Sequence, residues 1–249
     1  MVREVSSIGR FGRTEPFDFQ VARGQISYHS LVNVQGYNVA HGTTFRAVWE
    51  QSNTTDYVYP STAVTMAFTS SLNETLTLRV EGLDANYNVK TATVTFSGGT
   101  TGTATSGTAS FFRINAMQIV KGTANDTIVA TNGGVTYAQI SPGTGRSQAS
   151  IYTVPLGYTF YLARSQAFTT NNGNQFCTYR VWSQTFVDGV ATPVIVLSAP
   201  FTQSYSSTRI IARAYPEKTD IQWQLMQSSA APGSIQLEGI LVNNNVTAP

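Results

Sequence analysis

Apolar and polar residues alternate strictly in many short runs along this chain, and that two-residue period predicts β-strands. Residues 75–81 place Leu76, Leu78 and Val80 on one face, and residues 91–97 do the same with Ala92, Val94 and Phe96. The segment between them, Gly82-Leu83-Asp84-Ala85-Asn86-Tyr87-Asn88, is rich in turn formers, so the two runs read as a hairpin with a longer loop. Further β-like runs cover 63–69, 111–120, 135–140, 151–154, 159–163, 175–186, 192–197, 209–214, 220–226 and 234–242. Clusters of Gly, Asn, Ser, Thr and Pro at 97–100, 131–134, 141–145 and 169–174 punctuate them. Short strands with such spacing predict an all-β fold, a jelly roll or β-sandwich.

Helical periodicity is scarce. No long window keeps apolar residues at i, i+3, i+4 and i+7 between sensible caps, and residues 46–50 offer one turn at most. The expected helix content is under about a tenth. Three parts follow from the pattern. Residues 1–20 read as an extended N-terminal arm, because Ser6, Gly9, Gly12 and Pro16 interrupt any period. Residues 21–142 form a first β set and 143–249 a second, either as two domains or as one compact sandwich. The Thr- and Gly-rich stretch 100–108 reads as an exposed loop.

Composition narrows the function classes. Only 15 Lys/Arg and 13 Asp/Glu occur among 249 residues, so charged residues are 11% of the chain, where about 25% is usual. Thr, Ser, Asn, Gln and Gly fill the gap. Hydroxyls and amides cost less to bury in an interface than ions do, so this surface suits extensive contact. A net charge of +2, with scattered basic residues, does not predict a nucleic-acid partner. The exception is the N-terminus, where Arg3, Arg10, Arg13 and Arg23 gather. No hydrophobic leader follows Met1 and no apolar run approaches membrane-spanning length, so neither secretion nor a membrane is expected.

Candidate chemistry is sparse. Cys177 is the one cysteine; it lies in an apolar run and is expected as a small buried hydrophobe. His29 and His41 match no metal-binding spacing, and no serine-elbow, phosphate-loop or dinucleotide fingerprint occurs. Glu50 and Asp56 flank a polar loop without forming a suggestive carboxylate pair. Asp84-Ala85-Asn86-Tyr87-Asn88 begins like a calcium loop, but Val89 and Thr95 stand where an EF-hand needs Gly and Glu, so an Asx-rich turn is expected. Tyr57 and Tyr59 share one face of a strand-like run and suit either a core or a contact surface. The chain therefore reads as non-enzymatic, with no catalytic residue, metal or cofactor expected.

Several stretches together resemble a family of tailed-phage virion structural proteins, common in marine phages and cyanophages. They are Phe19-Gln20-Val21-Ala22-Arg23-Gly24-Gln25, Val34-Gln35-Gly36-Tyr37-Asn38, Thr44-Phe45-Arg46-Ala47-Val48-Trp49 and the hairpin loop at 82–88. In the second half they are Tyr152-Thr153-Val154-Pro155-Leu156-Gly157-Tyr158-Thr159, Pro216-Glu217-Lys218-Thr219-Asp220-Ile221 and Glu238-Gly239-Ile240-Leu241-Val242. The resemblance spans about residues 19–243, and Pro155-Leu156-Gly157 stands where the family has Pro-Ala-Gly. It implies a place in the virion, reached after synthesis in a host cytoplasm, and no active-site residues. The leading expectation is a capsid decoration (cement) subunit that binds the major capsid protein lattice as a homo-oligomer, a trimer. Alternatives are a tail, baseplate or head-to-tail adaptor protein, and a glycan- or receptor-binding β module. Phe11, Phe17 and Phe19, with Arg10 and Arg13, are the candidate interface residues.

Overall fold

An alternating strand leaves one apolar face that only a second layer can cover. A computed structural model, describing residues 15–51, 55–170, 176–187 and 190–245, shows how this chain covers its own. The elements in chain order are α1 (Phe17–Ala22), β1 (His29–His41), β2 (Arg46–Ala47), β3 (Val64–Thr65), β4 (Ala67–Leu83), β5 (Val89–Ser106), β6 (Ser110–Phe111), β7 (Arg113–Lys121), β8 (Ile128–Asn132) and β9 (Val135–Ile140). There follow β10 (Ile151–Thr153), β11 (Tyr158–Thr169), β12 (Cys177–Val187), β13 (Val190–Phe201), β14 (Ser204–Tyr215), β15 (Thr219–Gln227) and β16 (Ala231–Asn243). Strand accounts for 67% of the described residues and helix for 3%, as the missing 3.6-residue period leads one to expect.

Two sheets, β1-β16-β11-β14 and β10-β15-β12-β13, face each other, with β2 added to β15. Leaving out the short β2, these strands numbered one to eight in chain order lie 1-8-3-6 in one sheet and 2-7-4-5 in the other. That order is the eight-stranded jelly roll. Its interior is filled by Val34, Phe160, Leu162, Tyr179, Val181, Ile221, Trp223, Leu225, Ile235 and Leu237. The inward residues alternate along each strand, as the two-residue period requires.

A second lobe is inserted between β2 and β10. It is the sheet β5-β4-β8-β9, with β7 paired to β4, and the small β3–β6 ladder beside it. The predicted hairpin is its backbone: Leu76, Leu78 and Val80 of β4 stand opposite Phe96, Val94 and Ala92 of β5. All six are buried, together with Phe68, Phe111, Met117, Ile128 and Ile140. A third, smaller cluster of Ala47, Trp49, Tyr57 and Ile151 fills the joint between lobe and jelly roll.

Three expectations need correction. The division at residue 142 does not separate the sheets, because β1 pairs with β16 from His29↔Val242 to Asn38↔Gly233 and β2 pairs with β15. Residues 29–47 thus belong with the second β set. The stretch 100–108 is not simply a loop: β5 runs on to Ser106, with Thr101 and Gly102 opposite Thr69 and Phe68 of β4. Threonine is a strong strand former, and a paired edge needs no apolar face to exist. Residues 17–20, taken as part of the extended arm, open α1. Pro16 at φ −54 is pre-set for a helix start, and Val21 and Gln20 turn inward. Six residues are too few for a helical period to register in a sequence. The arm before residue 15, with Arg10, Phe11 and Arg13, lies outside the described residues.

Candidate functional site

The inserted lobe meets the jelly roll through one buried ion pair. Arg113 lies between Phe112 and Ile114 at the start of β7, and Asp220 lies next to Ile221 in β15. The Arg113 guanidinium donates from Nε to Asp220 Oδ1 at 2.9 Å and from Nη2 to Oδ2 at 2.8 Å. Its remaining nitrogen, Nη1, donates to the carbonyl oxygens of Pro60 and Phe112, each at 2.9 Å. The Thr153 hydroxyl donates to Asp220 Oδ1 at 2.6 Å. Three rings enclose the cation: Phe112 at 3.9 Å, Tyr59 at 4.7 Å and Tyr87 at 5.8 Å. Burial alone would lower the Arg113 pKa, but the hydrogen bonds and charge of Asp220 hold it above the ordinary arginine range.

The seam continues with reciprocal contacts. Asn115 Nδ2 donates to the Thr153 carbonyl and Asn115 Oδ1 accepts from the Thr153 amide. Met117 N donates to Ser147 Oγ and Ser147 N to the Met117 carbonyl, both at 2.9 Å. Sequence reading missed this clamp. One signal was present: in a chain this poor in charge, Arg113 directly follows two phenylalanines, and an ion in such a run needs a partner.

The two histidines are far from forming a base and its orienter. His41 is buried, and its Nε2 donates to the Leu225 carbonyl at 2.7 Å. Burial pushes its pKa below the usual histidine value. His29 Nδ1 bonds the Ser27 carbonyl at 2.8 Å, and the His29 ring meets the Phe17 ring edge-on at 5.7 Å. Glu50 accepts backbone N–H bonds from Ser141 and Gln148, so it ties two loop segments together. Burial raises its pKa, and those same N–H groups offset part of the rise. Asp56 pairs with Arg46 at 2.7 Å.

Asp84 behaves as the Asx-turn expectation requires. Its Oδ1 accepts from the Asn86 and Asn88 amides, and its Oδ2 from Asn88 Nδ2. What burial it has would raise its pKa, but the bonds from Asn88 and Asn86 hold it below the usual carboxylate value. Among the described residues no group of three or more His, Cys, Asp or Glu is arranged to hold a metal. Tyr57 and Tyr59 are core residues of the joint: their rings meet at 5.1 Å, and their hydroxyls donate to the Tyr137 and Ile221 carbonyls. Cys177 is fully buried, as expected.

A cleft of about 430 Å³ runs between β1 and the inserted lobe, lined among others by Leu31, Asn33, Arg79, Glu81, Gln118 and Arg146. Arg79 pairs with Glu81 at 2.9 Å, and Arg146 donates to the Asn33 carbonyl at 3.4 Å. Of the candidate interface residues, Phe17 and Phe19 stand exposed on α1, at 41% and 60%. Phe11, Arg10 and Arg13 lie outside the described residues.

No family model and no curated protein matches this chain. A chain in the structure of infectious bursal disease virus, Gt strain, is similar over 94% of this chain and 79% of that chain, at 10% identity and a TM-score of 0.24. At that score the likeness carries no argument, and the jelly-roll assignment rests on this chain's own strand order.

Proposed function

We propose that the protein is a non-enzymatic structural subunit of a tailed-phage virion, a capsid decoration subunit that self-associates and braces the major capsid protein lattice. The strand order 1-8-3-6 and 2-7-4-5 carries this reading, because the jelly roll is an architecture of viral capsid domains. A fold hosts many functions, so the surface must agree with it. It does: the chain is poor in ions and rich in hydroxyls and amides, which bury cheaply against other subunits. The resemblance across residues 19–243 supports the same placement. The protein needs no cofactor, nucleic acid or membrane for such a role.

The N-terminal segment is assigned to the particle contact, with Phe11 and the exposed Phe17 and Phe19 of α1 as apolar anchors and Arg10 and Arg13 for an acidic partner surface. An image reconstruction of the intact particle tests the placement. Density for this jelly roll over the capsid lattice is expected; six to a few dozen copies in the tail would move it to the baseplate or adaptor. Removing residues 2–14, which leaves α1 intact, is expected to lower particle occupancy. Undiminished occupancy removes Arg10, Phe11 and Arg13 from the contact. Lectin domains share the jelly roll, so a glycan- or receptor-binding role is the second reading. Selective signal on a glycan array would favour it.

A further inference from the structure

The open edge of the jelly roll, where β13 and β14 leave their connecting turn in opposite sheets, carries an uncovered apolar patch. Opposite Ala163 of β11, the partner strand β14 sets four residues instead of one, because Leu162 pairs with Arg213 and Arg164 with Thr208. At this bulge Ile210 and Ile211 are 103% and 86% exposed, while Arg209 and Ala212 stay partly buried. On β13, Val190, Val194 and Ile195 are also exposed. Ile195 precedes Phe201, the end of β13, by as many residues as Ile210 follows Ser204, the start of β14. The two groups therefore stand at a similar level along the edge.

Added strands are not the natural cover for this edge. Pro193 and Pro200 in β13 lack the donor that a further strand would need, and the bulge interrupts β14. Cover must come from side-chain packing. The patch is also free of charge where it matters: β13 contains no ionisable residue. In β14 the Arg213 guanidinium leans over the Tyr215 ring and Arg209 is half-buried. A two-fold contact brings the same patch together from both copies, and two uncharged apolar patches meet without repulsion or an unpaired ion.

We propose that this edge is a self-complementary docking surface for a second copy of the chain, with Ile210 and Ile211 of each copy packing on Val194 and Ile195 of the other. At roughly 100 Å² per aliphatic side chain, these four residues present about 290 Å² weighted by exposure. Counted on both copies and set in an interface about 60% apolar, this scales to around 1,000 Å², about the least that a specific contact needs. The assignment rests on the self-association in the proposed function and locates it. It is a two-fold contact, which alone makes a pair and not the trimer expected from the sequence.

The test uses the full chain and measures mass by sedimentation equilibrium. The wild type is expected at twice 26.9 kDa, and the Ile210→Asp/Ile211→Asp variant at the monomer mass, with the dissociation constant weakened at least roughly 100-fold. Both side chains already face solvent, so the variant is expected to keep the wild-type circular dichroism and urea midpoint. A second variant, Val120→Asp on the exposed face of the inserted lobe, is expected to associate like the wild type. The same wild-type mass in the Ile variant overturns the proposal. So does a monomeric wild type whose Ile variant loses particle occupancy, since the patch would then serve another virion protein. A wild type that pairs through this patch but never binds particles leaves the pairing standing and removes the decoration role instead.

Discussion

Cutting one side of the Arg113–Asp220 clamp tests whether it holds the lobes together. The two side chains are 4% and 2% exposed, and Asp220 supplies both carboxylate oxygens to the guanidinium. In Asp220→Ala the Arg113 cation stays buried, with only the Pro60 and Phe112 carbonyls and three rings to replace water. Removing one partner of such a pair costs about 3–5 kcal/mol. For a chain of this size that lowers Tm by roughly 6–20 °C, at about 2–4 °C per kcal/mol. The double variant Arg113→Met/Asp220→Leu removes both charges and restores apolar volume, and is expected within about 1–2 kcal/mol of wild type. The cycle therefore yields a large coupling energy. Urea unfolding followed by tryptophan fluorescence reads it, because Trp223 lies in the jelly-roll core a few residues from Asp220. Circular dichroism follows both lobes, and in Asp220→Ala its transition is expected to separate from the fluorescence one. A cost under about 1 kcal/mol for Asp220→Ala, or a double variant as poor as the two singles added, would refute the reasoning.

His41 is held neutral by burial, so its folded pKa lies below the unfolded one. Above the unfolded value both states are neutral and nothing is gained. As pH falls below about 6.5 the unfolded state takes up the proton first, and stability drops by at most about 1.4 kcal/mol per pH unit. His41→Gln, which still reaches the Leu225 carbonyl, is expected to flatten urea midpoints between pH 7 and 5.5. Glu50 runs the other way: its folded pKa is raised, so its contribution grows as pH falls towards the unfolded value near 4.5, and Glu50→Gln should remove that gain. At Gly82, a Cβ would lie 2.1 Å from the Arg113 carbonyl oxygen. Gly82→Ala is therefore expected to cost about 1–3 kcal/mol or more, measured as a lower urea midpoint. Cys177 is completely buried and should resist a thiol reagent until the jelly roll unfolds. Labelling at the rate of a free thiol in native buffer would contradict that burial.

Local pattern determined most of the strands. The period of two along 75–81 and 91–97 dictated a hairpin, and Asp84 with its Asn neighbours dictated the turn, because both depend on residues a few positions apart. The inward faces of β11, β12, β15 and β16 were equally legible. Strand β1 was not, since Gly36 and Asn38 stand on its inward face while Leu31, Tyr37 and Val39 are exposed, and Gly36 is small because the Val48 carbonyl would lie 2.3 Å from a Cβ there. Only the tertiary structure decided that β1 closes a sheet with β16, about 200 residues later, and that the hairpin lobe is an insertion in a jelly roll. The Arg113–Asp220 clamp and the bare Ile210–Ile211 bulge belong to the same level. The reason is physical: side-chain alternation is a property of neighbouring peptide units, whereas pairing across the chain is settled by which apolar faces can be buried together. An isoleucine in a strand looks the same in sequence whether a partner sheet covers it or water does.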